Sequence, residues 1–316
     1  MRLRLIRFKK LISAFGLVTL LTWALTIGLH YGQMPIVVAQ SPAPEQAADV
    51  DPNHVKIEIS LLGFDPIKGE LDARMVLFPM GDLIDQKNGF PSADLQLTDI
   101  ESIAKQQFDI KKGKPPESPV TKYITIEGDA FSYPLDEYKT TIGLYVDKLP
   151  PQPEAPKGGA TDKPAAPPAV NEADVEAVPL EYEFSPNLAG FNVTFNETKE
   201  SKESDDYLEL DVTITRSLPV IFFSSVVMVI MWALSLIILL ISITILRSGR
   251  MPETGALGFM GALLFAFPAI RNAQPNVPPV GTLSDFLSFF WTEAIVVIAL
   301  VITGACWLRR YNPPAK

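Results

Sequence analysis

Residues that could carry chemistry are few in this chain, and their types narrow the field further. It has two histidines, His30 and His54, and a single cysteine, Cys306. A tetrahedral zinc site needs more ligands than these three supply, and one cysteine cannot form an intrachain disulfide. Cys306 lies in the last apolar run, where a thiol ordinarily acts as a small buried hydrophobe. There is no nucleophile-elbow serine motif, no glycine-rich phosphate loop and no His–Glu metal helix. Only carboxylates remain for acid–base work, and adjacent acids such as Asp205-Asp206 read as a solvated turn. The expectation is a protein that is not an enzyme and takes no cofactor or metal.

The charged residues that stand out lie in or beside apolar runs instead. Glu293 falls eight residues past Asp285, roughly 12 Å into the last run if that run is helical. A carboxylate at that depth needs a partner, a water-filled cavity or a proton. It could form a hydrogen bond between helices, serve a coupling or ion path, or simply lie near the interface. Arg271 and Asp285 flank the same edge, where Phe286, Phe289, Phe290 and Trp291 make an aromatic belt. Glu253 stands before the middle run, as a ring of charge in an oligomer or as an ordinary exposed acid at a helix N-terminus. Arg216 closes an alternating segment immediately before the longest apolar run.

Charge distribution separates two solvents. The chain carries a formal net charge of −9, yet acidic side chains outnumber basic ones about two to one between residues 41 and 216. Outside that stretch the only acids are Glu253, Asp285 and Glu293. An acid-rich domain joined to basic-flanked apolar segments is a poor match for nucleic acid, which needs clustered Lys and Arg against phosphate. Its partner is a lipid bilayer.

Three apolar runs follow residue 217. The first, Leu218 to Leu246, has no charged residue; as a helix it would span about 40 Å, more than the roughly 30 Å of a hydrocarbon core. Thr254 to Ile270 is shorter and glycine-rich, and Phe286 to Trp307 is the last. Gly255, Gly258, Gly261 and Ala262 put small residues close together on the middle run, which fits tight packing within one protomer or between protomers of a homo-oligomer. A pore-lining role would require a hydrophobic gate, because no polar row follows Thr254. An earlier apolar run, Leu11 to about Leu29, follows Arg2, Arg4, Arg7, Lys9 and Lys10. Residues 1–39 read either as a signal peptide cleaved near Val37 and Ala39 or as a retained anchor. The N-terminal cations, the turn at Arg247 and Arg250, and the end at Arg309 and Arg310 fall on one side of a plasma or inner membrane if the acidic domain is exported. That leaves residues 311–316 as a cytoplasmic tail.

The exported domain, residues 53–217, reads as an all-β sandwich of antiparallel sheets. Val55, Ile57, Ile59 and Leu61 alternate with polar residues, and Leu71 to Phe78 returns after a turn from Phe64 to Gly69. Further alternation occurs at Lys122 to Glu127, Thr140 to Val146, Phe191 to Phe195 and Leu208 to Ile214. Ile100 to Ile110 fits a strand or a short helix. Residues 149–176 include a Pro-, Ala- and Lys-rich stretch without periodicity, expected as a flexible insertion. The fold class expected is thus a β-sandwich followed by a transmembrane bundle of three helices, residues 218–310, with the N-terminal signal or anchor helix before both.

Two resemblances follow from particular motifs. The sequence Tyr133-Pro134-Leu135-Asp136-Glu137-Tyr138, then Thr215-Arg216-Ser217, then Arg271-Asn272, Pro275, Pro278-Pro279, Gly281 and Asp285 with Phe289-Phe290-Trp291, resembles the membrane proteins grouped as DUF4436. That family has no assigned activity, so it implies architecture only. The order of parts is also similar to a pentameric ligand-gated ion channel subunit. Such subunits carry an aromatic-Pro-x-Asp turn, matched by Tyr133, Pro134 and Asp136, and an Arg before the first membrane helix, matched by Arg216. A proline-containing loop between their second and third helices is matched by Pro275 to Pro279, which holds Pro278 and Pro279. In that family these three parts meet and pass ligand binding to the pore, which implies an Asp136–Arg216 contact here. The chain departs from the pattern in having no fourth helix after the third, no aromatic ligand box and no polar stripe on the second.

Two functions are consistent with these readings. One is a receptor or channel-like protein whose sandwich senses an unspecified ligand. The other is a structural or assembly partner of another envelope protein.

Overall fold

The computed structural model describes residues 51–100, 106–114, 120–150, 175–249 and 251–311. The N-terminal run, most of the Pro- and Ala-rich insertion and the terminal tail lie outside the described residues. The described chain forms two compact units: the sandwich region through Ile221 together with Pro275–Ser284, and Phe222–Gln274 together with the chain from Asp285 onward.

Eleven strands are described in the first unit: β1 (Val55–Asp65), β2 (Glu70–Pro79), β3 (Leu95–Asp99), β4 (Gln106–Ile110), β5 (Val120–Thr125), β6 (Glu127–Gly128), β7 (Glu137–Lys148), β8 (Glu176–Val178), β9 (Leu180–Ser185), β10 (Phe191–Glu197) and β11 (Tyr207–Arg216). They form two sheets, ordered β5-β2-β1-β9 and β10-β11-β7-β3-β4, with β6 and β8 also pairing to β7. Alternation builds both. Val55, Ile57 and Ile59 from one sheet and Leu95, Leu97, Ile142, Leu144, Leu208 and Leu210 from the other join a single buried cluster. This is the expected sandwich, since side chains of period two can bury one face of each sheet against the other. A short helix, α1 (Lys199–Glu203), connects β10 to β11; the Thr198 hydroxyl caps it by accepting from Ser201 N–H.

Two expectations about the sheets are corrected. The sandwich is not wholly antiparallel: β1 runs parallel to β9, Val55 opposite Leu180 through Ser60 opposite Ser185. Partner choice between strands about 120 residues apart depends on tertiary packing, which local alternation does not encode. The stretch from Lys122 to Glu127 is not one strand but two, because β5 pairs with β2 in one sheet and β6 with β7 in the other. The chain changes sheets at buried Ile126, whose N–H donates to Gly69 O. The ambiguous stretch before Ile110 ends in a strand, β4, and Glu176 opens β8 rather than closing the insertion.

The second unit is helical. It contains α2 (Leu218–Ser248) from Phe222 onward, α3 (Thr254–Asn272), and α4 (Phe290–Arg310) preceded by a π-helical turn, Asp285–Phe289. Each of the three, the last counted from Asp285 to Arg310, is long and apolar enough to cross a membrane, with mean hydropathies of 3.0, 1.4 and 2.2 in turn. Small polar residues join α2 to α4. Ser242 Oγ donates to Ala299 O at 3.0 Å and accepts from Thr303 Oγ1 at 3.1 Å, so buried hydroxyls are satisfied where side chains are small enough for close approach. Arg310 donates to the carbonyls of Ile245 and Leu246, closing the C-terminal turn of α2. None of the described residues supplies the tight packing expected on the glycine face of α3. A Cβ at Gly255, Gly258 or Gly261 would have no described atom within 4 Å beyond its chain neighbours and the backbone of its own helix.

Candidate functional site

β11 inserts its last residue into the core. Leu208, Leu210, Val212 and Ile214 point inward, and the same parity carries Arg216 to the buried face. A guanidinium there is costly unless paired. Arg216 Nε lies 3.0 Å from each carboxylate oxygen of Asp136, and Nη2 lies 2.9 Å from Oδ2. Both side chains are fully buried. Asp136 Oδ2 also accepts from the Tyr138 hydroxyl at 2.7 Å. Burial, then the hydrogen bond to Asp136 and its negative charge, hold the Tyr138 hydroxyl well above its ordinary pKa. It therefore stays a donor to the carboxylate.

The faces of the guanidinium are covered by aromatic rings. Its carbon lies 4.9 Å from the centroid of Tyr133 and 4.5 Å from that of Phe191. Phe191 is placed by register, being directly opposite Arg216 in the β10–β11 pair. Phe64 makes edge-on contacts with Tyr138 at 4.9 Å and Phe191 at 5.0 Å, closing the aromatic shell. Gly128 is required by that shell, because a Cβ there would collide with the Tyr138 ring.

Tyr133 and Pro134 are both buried, joined by a cis peptide, and follow a turn in which Asp129 accepts from Phe131 N–H and the Ser132 hydroxyl. This turn holds the loop that connects α3 to α4. The Tyr133 hydroxyl donates to Pro275 O at 3.2 Å, and Tyr133 O accepts from Ser284 N–H at 3.2 Å. One residue therefore binds both ends of Pro275–Ser284. Pro278 is buried and Pro279 exposed. Gly190, at a φ of +84°, accepts from Ser217 N–H and lies where a Cβ would be 3.4 Å from Asn276 Nδ2 and 3.5 Å from Val220. The site thus gathers the Tyr133 turn, the end of β11, the start of α2 and the Pro275–Ser284 loop, all in the sandwich's compact unit.

The other charged candidates belong to the helical unit. Arg271 and Asp285 form a buried fork, Nε to Oδ1 and Nη2 to Oδ2 each at 2.7 Å, and Arg271 Nη1 also donates to Asn272 Oδ1. Glu253 is exposed at the N-cap of α3 without a side-chain capping bond. Glu293 is partly buried, and its Oε2 has no hydrogen-bond partner among the described residues. The structure thus brings Tyr133, Pro134, Asp136, Arg216 and the proline loop together and pairs Arg271 with Asp285. It leaves Glu253 and Glu293 apart from either cluster. No group of three or more His, Cys, Asp or Glu side chains able to hold a metal occurs among the described residues.

Phe64, Phe191 and Gly128 were not singled out from sequence. The signal for Phe191 is register, since it starts β10 opposite the residue that ends β11. Gly128 becomes legible only once Tyr138 is known to turn inward.

A family model described as "Domain of unknown function (DUF4436)" matches residues 45–215 of the chain, more than half of its length. A second, described as "Domain of unknown function (DUF8686)", matches residues 216–310. The two meet between Thr215 and Arg216, where strand gives way to the membrane segment. None of the curated proteins compared matches the chain.

Proposed function

The chain belongs to the DUF4436 family, and we propose that it is a non-enzymatic, receptor-like or channel-like membrane protein whose sandwich drives its helices through the Arg216 cluster. The observation that carries this is the position of Arg216. It is the last residue of β11, two residues before Leu218 opens α2, and is gripped on its edge by Asp136 and on its faces by Tyr133 and Phe191. The same Tyr133 fastens the loop between α3 and α4. A displacement of β7 or β11 therefore has a short and well-packed route to both chain connections, with little linker to absorb it.

In this reading the sandwich is exported and the C-terminus is cytoplasmic. The cations at Arg247, Arg250, Arg309 and Arg310 support that orientation, as do those preceding the first apolar run. Protease added to intact spheroplasts should digest the sandwich and spare the C-terminal end; the reverse pattern would overturn the orientation.

The second reading, an assembly partner, draws on the open face of α3. With no described atom beyond its chain neighbours and its own helix backbone within 4 Å of Cβ positions at Gly255, Gly258 and Gly261, that face has room among the described residues for another backbone. Electron microscopy of the purified full chain, combined with planar-bilayer recording, separates the two. A symmetric ring that carries current supports the first reading. A monomer that copurifies with one envelope protein and carries no current supports the second and overturns the first.

A further inference from the structure

One end of the sandwich unit exposes large apolar side chains from separate stretches of chain. Phe131 is 70% exposed on the turn before Tyr133, and Ile67 is 61% exposed on the turn joining β1 to β2. Leu218, Val280 and Leu283 are also exposed. Side-chain and strand contacts put these turns at the same end. Phe64, three residues before Ile67, touches Tyr138 and Phe191. Gly128, three residues before Phe131, pairs with Tyr138, and a Cβ on Gly281 would lie 3.9 Å from the Phe131 ring. Leu218 is two residues beyond Arg216.

Apolar side chains on isolated turns are ordinary one at a time, but several converging on one end mark a surface that is covered. What covers it follows from connectivity. The chain leaves this unit after Ile221 and Ser284 and enters it at Pro275, each time to or from a helix able to span a bilayer. Among the described residues these three crossings lie at one end, and where the helices span a bilayer chain connectivity alone keeps that end close to the headgroups. Asp65, Glu70 and Asp129 outnumber Lys68 on the same turns, and Lys68 is 3.8 Å from Asp65, so attraction to anionic lipid is a poor explanation. Partition of apolar side chains into the headgroup–acyl boundary requires no such attraction.

We propose that Phe131 and Ile67 are lipid-contacting feet of the sandwich, inserting from its turns into the interfacial layer of the bilayer. The proposal rests on the three helices being membrane spans and not on signalling, so it stands or falls separately from any conductance measurement. It gives the two turns nearest the Arg216 cluster a second attachment, through lipid as well as through the chain. Membrane thickness or packing would then act on the same cluster that holds the loop between α3 and α4.

The test uses the full chain in phosphatidylcholine nanodiscs. Single variants Phe131→Cys, Ile67→Cys and Met80→Cys are labelled with an environment-sensitive fluorophore, and Cys306 is retained because it is buried. Met80 is 37% exposed and follows Pro79, which pairs with Val55, so it lies on the order of 30 Å along β1 from the Asp65 turn. Replacing part of the lipid with a 5-doxyl phosphatidylcholine should quench labels at 131 and 67 at least about twofold more than the label at 80, with blue-shifted emission. Equal quenching at all three positions overturns the proposal. So does a cysteine cross-link at 131 or 67 between two copies, which would assign the end to a second chain. If a variant does not fold, photoactivatable lipid on the wild-type chain replaces it. Adducts on peptides containing Phe131 and Ile67 support the footing, and adducts confined to the helices overturn it.

Discussion

Arg216 and Asp136 meet side by side at one end of a single sheet, one step beyond the Thr215–Glu137 pair of β11 and β7, with the Arg216 Nε 3.0 Å from each Asp136 oxygen and both side chains wholly buried. A pair in that environment is not a cheap source of stability, because desolvation of both ions opposes the attraction between them. It is a strong source of specificity, since either partner alone would be left as an uncompensated buried charge.

The single variants Arg216→Gln and Asp136→Asn should therefore each destabilise the full chain in detergent by about 3–5 kcal/mol. The double variant should lose less than their sum, by a coupling on the order of 1–3 kcal/mol. Arg216→Lys should behave like Arg216→Gln, because an ammonium neither reaches both carboxylate oxygens with planar N–H donors nor offers a delocalised plane to the Tyr133 and Phe191 rings. Additive losses in thermal melts would show that the two residues do not act as a pair.

Tyr133→Phe separates the ring from its hydroxyl. The aromatic face over Arg216 remains, but the donor to Pro275 O is removed. A loss of about 0.5–1.5 kcal/mol is expected, and it should be local. Amide exchange should rise in the Pro275–Ser284 loop and stay unchanged in β7 and β11. Equal acceleration throughout the sandwich would mean that the hydroxyl supports the fold rather than the loop.

What sequence could reveal here followed from how local the determinant was. The strand from Leu208 to Ile214 was legible because each inward side chain is declared by its own type, and the three spans because hydropathy accumulates along one helix. The contact between Asp136 and Arg216 came only through a resemblance, since 80 residues separate them and no periodicity links them. The parallel pairing of β1 with β9 was missed for the same reason. The glycines of α3 illustrate the opposite failure. Their spacing signals room for close approach, but spacing alone does not say what fills the room, and none of the described residues does.

Asp147 provides a test of the sandwich's response to pH. Burial raises its carboxyl pKa first, and the charge of nearby Asp206 raises it further. A folded-state pKa above the unfolded one means that the folded chain binds this proton more tightly. The resulting stabilisation is fully present below the unfolded carboxylate range, near pH 3.9, and is lost as pH rises through the folded value. Asp147→Asn should thus raise the melting midpoint at pH 7, by about 1–2 °C given its partial exposure. The gain should vanish below the carboxylate range. A gain that is equally large at low pH would point to packing rather than charge.

Gly128 and Gly63 form a matched pair for asking how tightly the aromatic shell is built. Neither has a positive φ, so backbone strain does not separate them. A Cβ at Gly128 would strike the Tyr138 ring and approach Glu137 O at 2.8 Å, whereas one at Gly63 would meet only Asp72 Oδ2 at an ordinary 3.5 Å. Gly63→Ala should leave stability within about 0.5 kcal/mol of wild type. Gly128→Ala must displace Tyr138, and with it the hydroxyl that donates to Asp136 and the edge contact with Phe64. It should cost about 2–4 kcal/mol as overpacking and a lost buried hydrogen bond combine. In an Asp136→Asn background the penalty should shrink, since the charge that Tyr138 solvates is already gone. If it keeps its full size there, the glycine serves the ring's packing alone and not the ion pair behind it.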